Sequence, residues 1–201
     1  PDISAATKEK VHALANSLDY EPNAYAIQLR TQSSKIFGVI VPAIANLFYD
    51  SFIAAIEEES RKNGYALMIL QSSNNTENEL NNLKIFRQNR VSGVFACLSA
   101  HTQNLEVYEK MSDRDIPVVF FDIVPKESKY TKVRMADERC AIIAAENIIQ
   151  RGSKRVLALF GDPALSISQK RKQAFQQFME KYAPKTHCTY VHTNSSVEAE
   201  T

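Results

Sequence analysis

The side chains best suited to chemistry fall just after short apolar runs: Phe48, Tyr49, Gln71, Asn74, Ser99 and Asp122. Aromatic platforms beside planar amides and a carboxylate suit the binding of a sugar or a nucleoside-like molecule. Core packing is the competing reading for Phe48. Groupings that would catalyse are not found: there is no G-x-G-x-x-G, no G-x-x-x-x-G-K-[ST] and no G-x-S-x-G. His187, Cys188 and His192 invite a metal, but a strand would place His187 and His192 on opposite faces. The expectation is a binding protein, not an enzyme, with no metal and no cofactor.

Those groups need a scaffold, and the apolar runs describe one. Residues 36–41, 65–70, 91–98 and 117–124 are rich in Val, Ile and Phe and read as buried strands. Amphipathic segments of helical length separate them. Residues 49–63 end in Arg61-Lys62-Asn63-Gly64, cations at the negative helix end followed by a glycine cap. Thr76-Glu-Asn-Glu79 is a capping-box sequence ahead of Leu80, Leu83 and Phe86, and 104–113 form a shorter helix. The order βαβαβαβ predicts a parallel sheet with helices on both faces. Ligands of such sheets sit beyond the carboxyl ends of the strands, here 43–49, 71–75, 99–103, 122–125 and 161–168.

After a polar stretch over 125–130 the alternation resumes. A strand at 131–135, a helix at 137–151, strands at 155–160 and 187–192, and a helix from about Ser168 to Tyr182 are expected. The lobe boundary falls near 125–136, and the second lobe has too few strands to close a sheet. At the other end, 4–19 read as a helix with Ser4 as N-cap and a stripe of Val11, Leu14 and Leu18, ended by Glu21-Pro22. Asn23 then opens a second helix over 24–30. Its two turns are below the ~12–15 residues an isolated helix needs in water, so it forms only against a partner.

Composition bounds the function classes. With 201 residues, 44% hydrophobic and 23% charged, the chain can hold two globular units. Lys8, Lys10, Arg30 and Lys35 are balanced by Asp2, Glu9, Asp19 and Glu21 across residues 1–39, so no complete nucleic-acid surface lies there. The three cysteines are far apart with no C-x-x-C spacing, which reads as reduced thiols in a cytoplasmic protein. No run approaches the ~20 apolar residues of a membrane span, and no secretion signal is evident.

The run Ile3-Ser4-x-x-Thr7-x-x-x-Val11, then Tyr20-x-Pro22-Asn23-x-x-Ala26-x-x-Leu29, then Ile36-Phe-Gly-Val-Ile-Val-Pro42, resembles the LacI family of bacterial transcriptional regulators. It matches the passage from the third helix of that family's DNA-binding domain, through the hinge helix, into the first strand of the effector domain. Gly38 stands where relatives usually have glycine. The resemblance implies a two-lobe, periplasmic-binding-protein-like α/β fold. Its parts would be 1–31 (partial DNA-binding and hinge segment), 36–125 (first effector lobe) and 131–201 (second lobe, partial). The helix-turn-helix with its recognition helix would lie upstream of Pro1.

The resemblance also implies a cytoplasmic homodimer whose effector controls binding to operator DNA through the hinge. Paired hinge helices would enter the minor groove, with Leu29 as the wedge, Ala26 permitting close approach and Asn23 at the start. Docking of Leu29 on its own domain is the competing reading, and Ile27 replaces an arginine common in relatives. Arg171 falls where relatives often bind ligand ahead of Gly-Phe, although Ala174 takes the glycine's place here. Asp137 falls where relatives have Asp-Asn, here Asp-Glu138. A plain N-cap for Asp137 and an exposed helix position for Arg171 are the alternatives. The ligand set is therefore Phe48, Tyr49, Gln71, Asn74, Asp122, Asp137 and Arg171. The rival is a periplasmic sugar-binding protein of a transport system, against which stands a helical module over 4–30 where a secretion signal belongs.

Overall fold

The computed structural model describes residues 3–23, 26, 30 and 34–193. Ser4 starts helix α1 (Ala5–Ser17), its Oγ accepting from the Thr7 amide at 3.3 Å. The helix ends well before Pro22. Asp19 turns left-handed (φ 49°), and the amides of Asp19 and Tyr20 donate back to the carbonyls of Asn16 and Ala15, a closure that needs no proline. α1 buries none of its residues, and Val11, Leu14 and Leu18 stay 61%, 61% and 69% exposed. Within the next segment Ala26 and Arg30 are helical, and the Ala26 amide donates to Asn23 Oδ1 at 3.4 Å. Leu29 lies outside the described residues.

A five-stranded sheet follows, with every pair parallel and the order β2-β1-β3-β4-β5. Its elements are β1 (Ile36–Val41), α2 (Leu47–Lys62), β2 (Ala66–Gln71), α3 (Thr76–Gln88), β3 (Gly93–Ala96), α4 (Glu106–Ser112), β4 (Val118–Phe121) and β5 (Lys132–Val133). Alternation along β1 divides its side chains between two layers. Val39 and Val41 pack with Tyr49, Phe52, Ile53 and Ile56 of α2, while Ile40 meets Leu83 and Phe86 of α3 and Tyr108 and Met111 of α4. Gly38 makes room for Phe86, whose ring would lie 2.8 Å from any Cβ added there.

Two expectations are corrected in this sheet. The capping box of Thr76 and Glu79 does not form. Asn75 caps α3 instead, its Oδ1 accepting from the amides of Glu77 (2.8 Å) and Asn78 (3.1 Å), and Glu79 is fully buried. The strand expected to open the second lobe pairs with β4 at the edge of the first sheet. A two-residue strand has no stability of its own and needs an existing ladder. Lys132 holds it there, donating to the carbonyls of Pro125, Lys126 and Glu127.

The chain then forms α5 (Asp137–Gln150), β6 (Arg155–Phe160), α6 (Ser166–Tyr182) and β7 (His187–His192), with β6 and β7 parallel in a two-stranded sheet. Ala141 and Ala145 of α5 and Phe175 and Met179 of α6 cover one face, against Val156, Ala158, Cys188 and Tyr190. The other face carries Leu157 and Leu159, 63% and 62% exposed. Helices on both faces, as expected, are found for the first sheet only. Among the described residues no His, Cys, Asp and Glu cluster could hold a metal, and no helix is long and apolar enough to cross a membrane.

Candidate functional site

From β1 the chain passes to β2 on one side, and β3 then joins β1 on the other. An open sheet binds ligands where its order reverses in this way, at the carboxyl ends of the strands. There Asn46 caps α2, its Oδ1 accepting from the amides of Phe48 (2.9 Å) and Tyr49 (3.4 Å). This start leaves Tyr49 buried at 8% exposure and Phe48 at 44%, the two rings edge to face at 5.3 Å. Phe48 is therefore not a core residue.

The Tyr49 hydroxyl donates to Asp122 Oδ2 at 2.8 Å, and Cys97 Sγ lies 3.5 Å from that hydroxyl. Asp122 follows β4 with φ 55°, a left-handed conformation that aspartate tolerates better than most residues. From the second sheet's helices, Arg171 of α6 donates to Asp137 at the start of α5. Its Nε and Nη2 both lie 2.8 Å from Oδ1. Asp137 is buried and Ala136 occupies the N-cap position, which sets aside the capping reading.

Charge joins the two halves. Burial pushes the Asp122 carboxyl above its ordinary range; the Tyr49 hydrogen bond and the Arg171 charge pull it back, and Asp137 pushes it up again. Burial also drives the Tyr49 phenol far up, with Cys97 and Asp122 adding to it. The Cys97 thiol, raised mainly by burial, is pushed up to about 12. Phenol and thiol are thus both protonated at neutral pH, so the cluster offers hydrogen bonds in place of a nucleophile.

A cavity of about 300 Å³ opens between the two sheets from Ile123 onward, and none of Phe48, Tyr49, Asp122, Asp137 and Arg171 lines it. Ser99, Thr102 and Gln103 line it from the loop after β3, Ile123 to Pro125 from the loop after β4, and Ser166 and Gln169 from the start of α6. Three of the five strand-end loops singled out from the sequence thus meet here. Thr102, Gln103, Ser166 and Gln169 were not among the candidate residues. The strand-end rule already pointed to the first three, whereas Gln169 lay inside the expected helix.

Of the sequence candidates, Tyr49, Asp122, Asp137 and Arg171 come together, with Phe48 against Tyr49. Gln71 and Asn74 are not hydrogen-bonded to this group. Gln71 Oε1 accepts from the Ile44 amide and its Nε2 donates to Ser73 Oγ, both at 2.9 Å, which ties the loops after β1 and β2. Asn74 is exposed with φ 54° in the same turn.

Comparison with known proteins agrees with this layout. A profile described as periplasmic binding proteins and sugar binding domain of LacI family matches residues 34–196. The catabolite repressor/activator of Escherichia coli (strain K12) is 27% identical over 191 residues, 95% of this chain and 57% of the relative. The HTH-type transcriptional repressor PurR of Vibrio atlanticus is 29% identical over 161 residues, 79% of this chain and 47% of the relative. The chain thus spans about half the length of these relatives. The solved structure of the Cra transcriptional dual regulator from Pseudomonas putida, in complex with fructose 1-phosphate, has the same fold. Its TM-score is 0.69 at 20% identity, covering 80% of this chain and 57% of that one. The matched region takes in both sheets and the cavity between them, and the chain belongs to the family of periplasmic binding proteins and LacI-type sugar-binding domains.

Proposed function

We propose that this chain is the effector-sensing part, with its hinge segment, of a ligand-responsive transcriptional regulator, and that a sugar or nucleoside-like effector binds between its lobes. One observation carries this reading over the transport alternative. The similarity to the Escherichia coli repressor/activator extends over 95% of the chain, so it takes in residues ahead of position 34, where the family profile begins. With 191 of 201 residues matched, those residues include at least the second half of α1 and the segment opened by Asn23.

In this reading the first lobe runs from 36 through the edge strand β5, the second begins with α5 at Asp137, and the segment between them joins the two. A ligand touching Phe48, Tyr49 and Asp122 on one side and Asp137 and Arg171 on the other stabilises one closure of the cleft. It shifts the equilibrium only by its difference in affinity for the two closures. The hinge reports the closure to operator DNA through Asn23, Ala26 and Leu29 in a cytoplasmic homodimer, and the protein does no catalysis.

A thermal-shift screen of the full-length protein over sugars and nucleosides, followed by DNA binding at several salt concentrations, tests the proposal. A regulator binds DNA with a steep salt dependence, and the compound that raises its melting point changes that binding. A compound that stabilises the protein without altering any DNA binding favours the transport reading.

A further inference from the structure

We propose that Glu79 is a positioning residue: a buried carboxylate in α3 that holds the loop over 99–103 in the shape that lines the cavity. Glu79 has no exposed surface. Its Oε2 accepts from the Ser99 amide at 2.7 Å, the Thr102 hydroxyl lies 2.9 Å from Oε2 and 3.1 Å from Oε1, and the Tyr108 hydroxyl donates to Oε1 at 2.9 Å. No cation pairs with it among the described residues. A carboxylate in such a place is tolerated only when donors converge on it. Burial, with the Glu79 charge added, pushes the Tyr108 phenol well above its ordinary value and keeps it a donor.

Two of the three donors belong to one loop, which has no helix or strand of its own. The same side of α3 fastens the neighbouring loop. Asn78 Nδ2 donates to the Ser72 carbonyl at 3.2 Å and Asn82 Nδ2 to the Gln71 carbonyl at 3.0 Å. Ser99 Oγ also meets Ser72 Oγ at 3.4 Å. The first turns of α3 therefore frame the ends of β2 and β3 together, and Glu79 is the member that reaches the cavity-lining residues Ser99 and Thr102. A glutamine there keeps the volume but removes the charge and puts a donor nitrogen in place of one acceptor oxygen, so the charge-assisted bonds to the Ser99 amide and the Thr102 hydroxyl are weakened.

The functional meaning rests on the sensing reading above, but the test does not. Backbone amide exchange is followed by mass spectrometry in the full-length protein, its Glu79→Gln and Thr102→Val variants, and Tyr108→Phe, which removes the donor outside the loop. The expected result is exchange faster by roughly tenfold or more over 98–103 in Glu79→Gln. Thr102→Val speeds the same peptides less, and β1 and β3 keep parent rates in both. Tyr108→Phe leaves 98–103 at the parent rate. Unchanged exchange over 98–103 in Glu79→Gln, or a speeding spread evenly over the sheet, overturns the proposal. If Glu79→Gln does not fold, Thr102→Val against Tyr108→Phe decides it in the same way. A parent protein that no sugar or nucleoside stabilises undoes the sensing reading and leaves this comparison standing.

Discussion

β1 and β6 read alike as sequence, Ile-Phe-Gly-Val-Ile-Val against Arg-Val-Leu-Ala-Leu-Phe, yet the fold treats them differently. Val39, Ile40 and Val41 are completely buried, whereas Leu157 and Leu159 of β6 keep more than half their surface. α2 covers one face of the first sheet and α3 with α4 cover the other; the β6–β7 sheet has α5 and α6 on a single face. A strand's hydrophobicity therefore states what it can bury, and the number of layers around it states what it does bury. Along β1 even a glycine is under packing constraint, while along β6 every second position faces outward.

The contrast predicts unequal costs for equal chemistry. In the 201-residue chain, Phe86→Ala should cost ~3–5 kcal/mol by urea denaturation, since it empties a space closed on all sides. Equal costs for Phe86→Ala and Leu159→Ala would break the distinction between the sheets.

A smaller effect is expected where the two halves meet. The raised Asp122 carboxyl means that the folded state holds more protons than the unfolded one between the ordinary and the raised value. Stability from this group therefore falls as pH rises through that window. Asp122→Asn removes the slope. Its melting point should exceed the parent's at neutral pH and converge with it in acid below the ordinary carboxylate range. A constant difference at all pH values would show that burial does not govern Asp122.

The smallest effect is expected at the open face of the second sheet. Leu159→Lys should change stability by no more than about 0.5 kcal/mol and reduce concentration-dependent light scattering by the 201-residue chain, because the lysine breaks an exposed apolar surface. Unfolding of this variant would mean that the face is packed.

How much of the site was legible follows from which forces are local. Ser4 as a cap, β1, β6 and β7 to the residue, and the strand-end loops were all readable, because caps and hydrophobic period depend on neighbours in sequence. Glu79 was not. Thr76-Glu-Asn-Glu79 satisfies the capping-box pattern, but the helix is capped one residue earlier, by Asn75 at the amides of Glu77 and Asn78, and the Glu79 carboxylate turns to Ser99, Thr102 and Tyr108 in other elements. β5 was misplaced for a similar reason, since two residues pair wherever an open ladder edge lies. Asp137 and Arg171 were marked through family resemblance. Their contact across 34 positions depends on α5 packing against α6.

The sequence by itself determined the strand and helix alternation, the parallel sheet and the family, since each rests on periodicity, capping and residue order. Only the tertiary structure decided which apolar runs are sealed, which glutamate is buried, and which carboxylates lie close enough to act on one another. Those outcomes depend on distances between elements, and no local pattern encodes a distance across the fold.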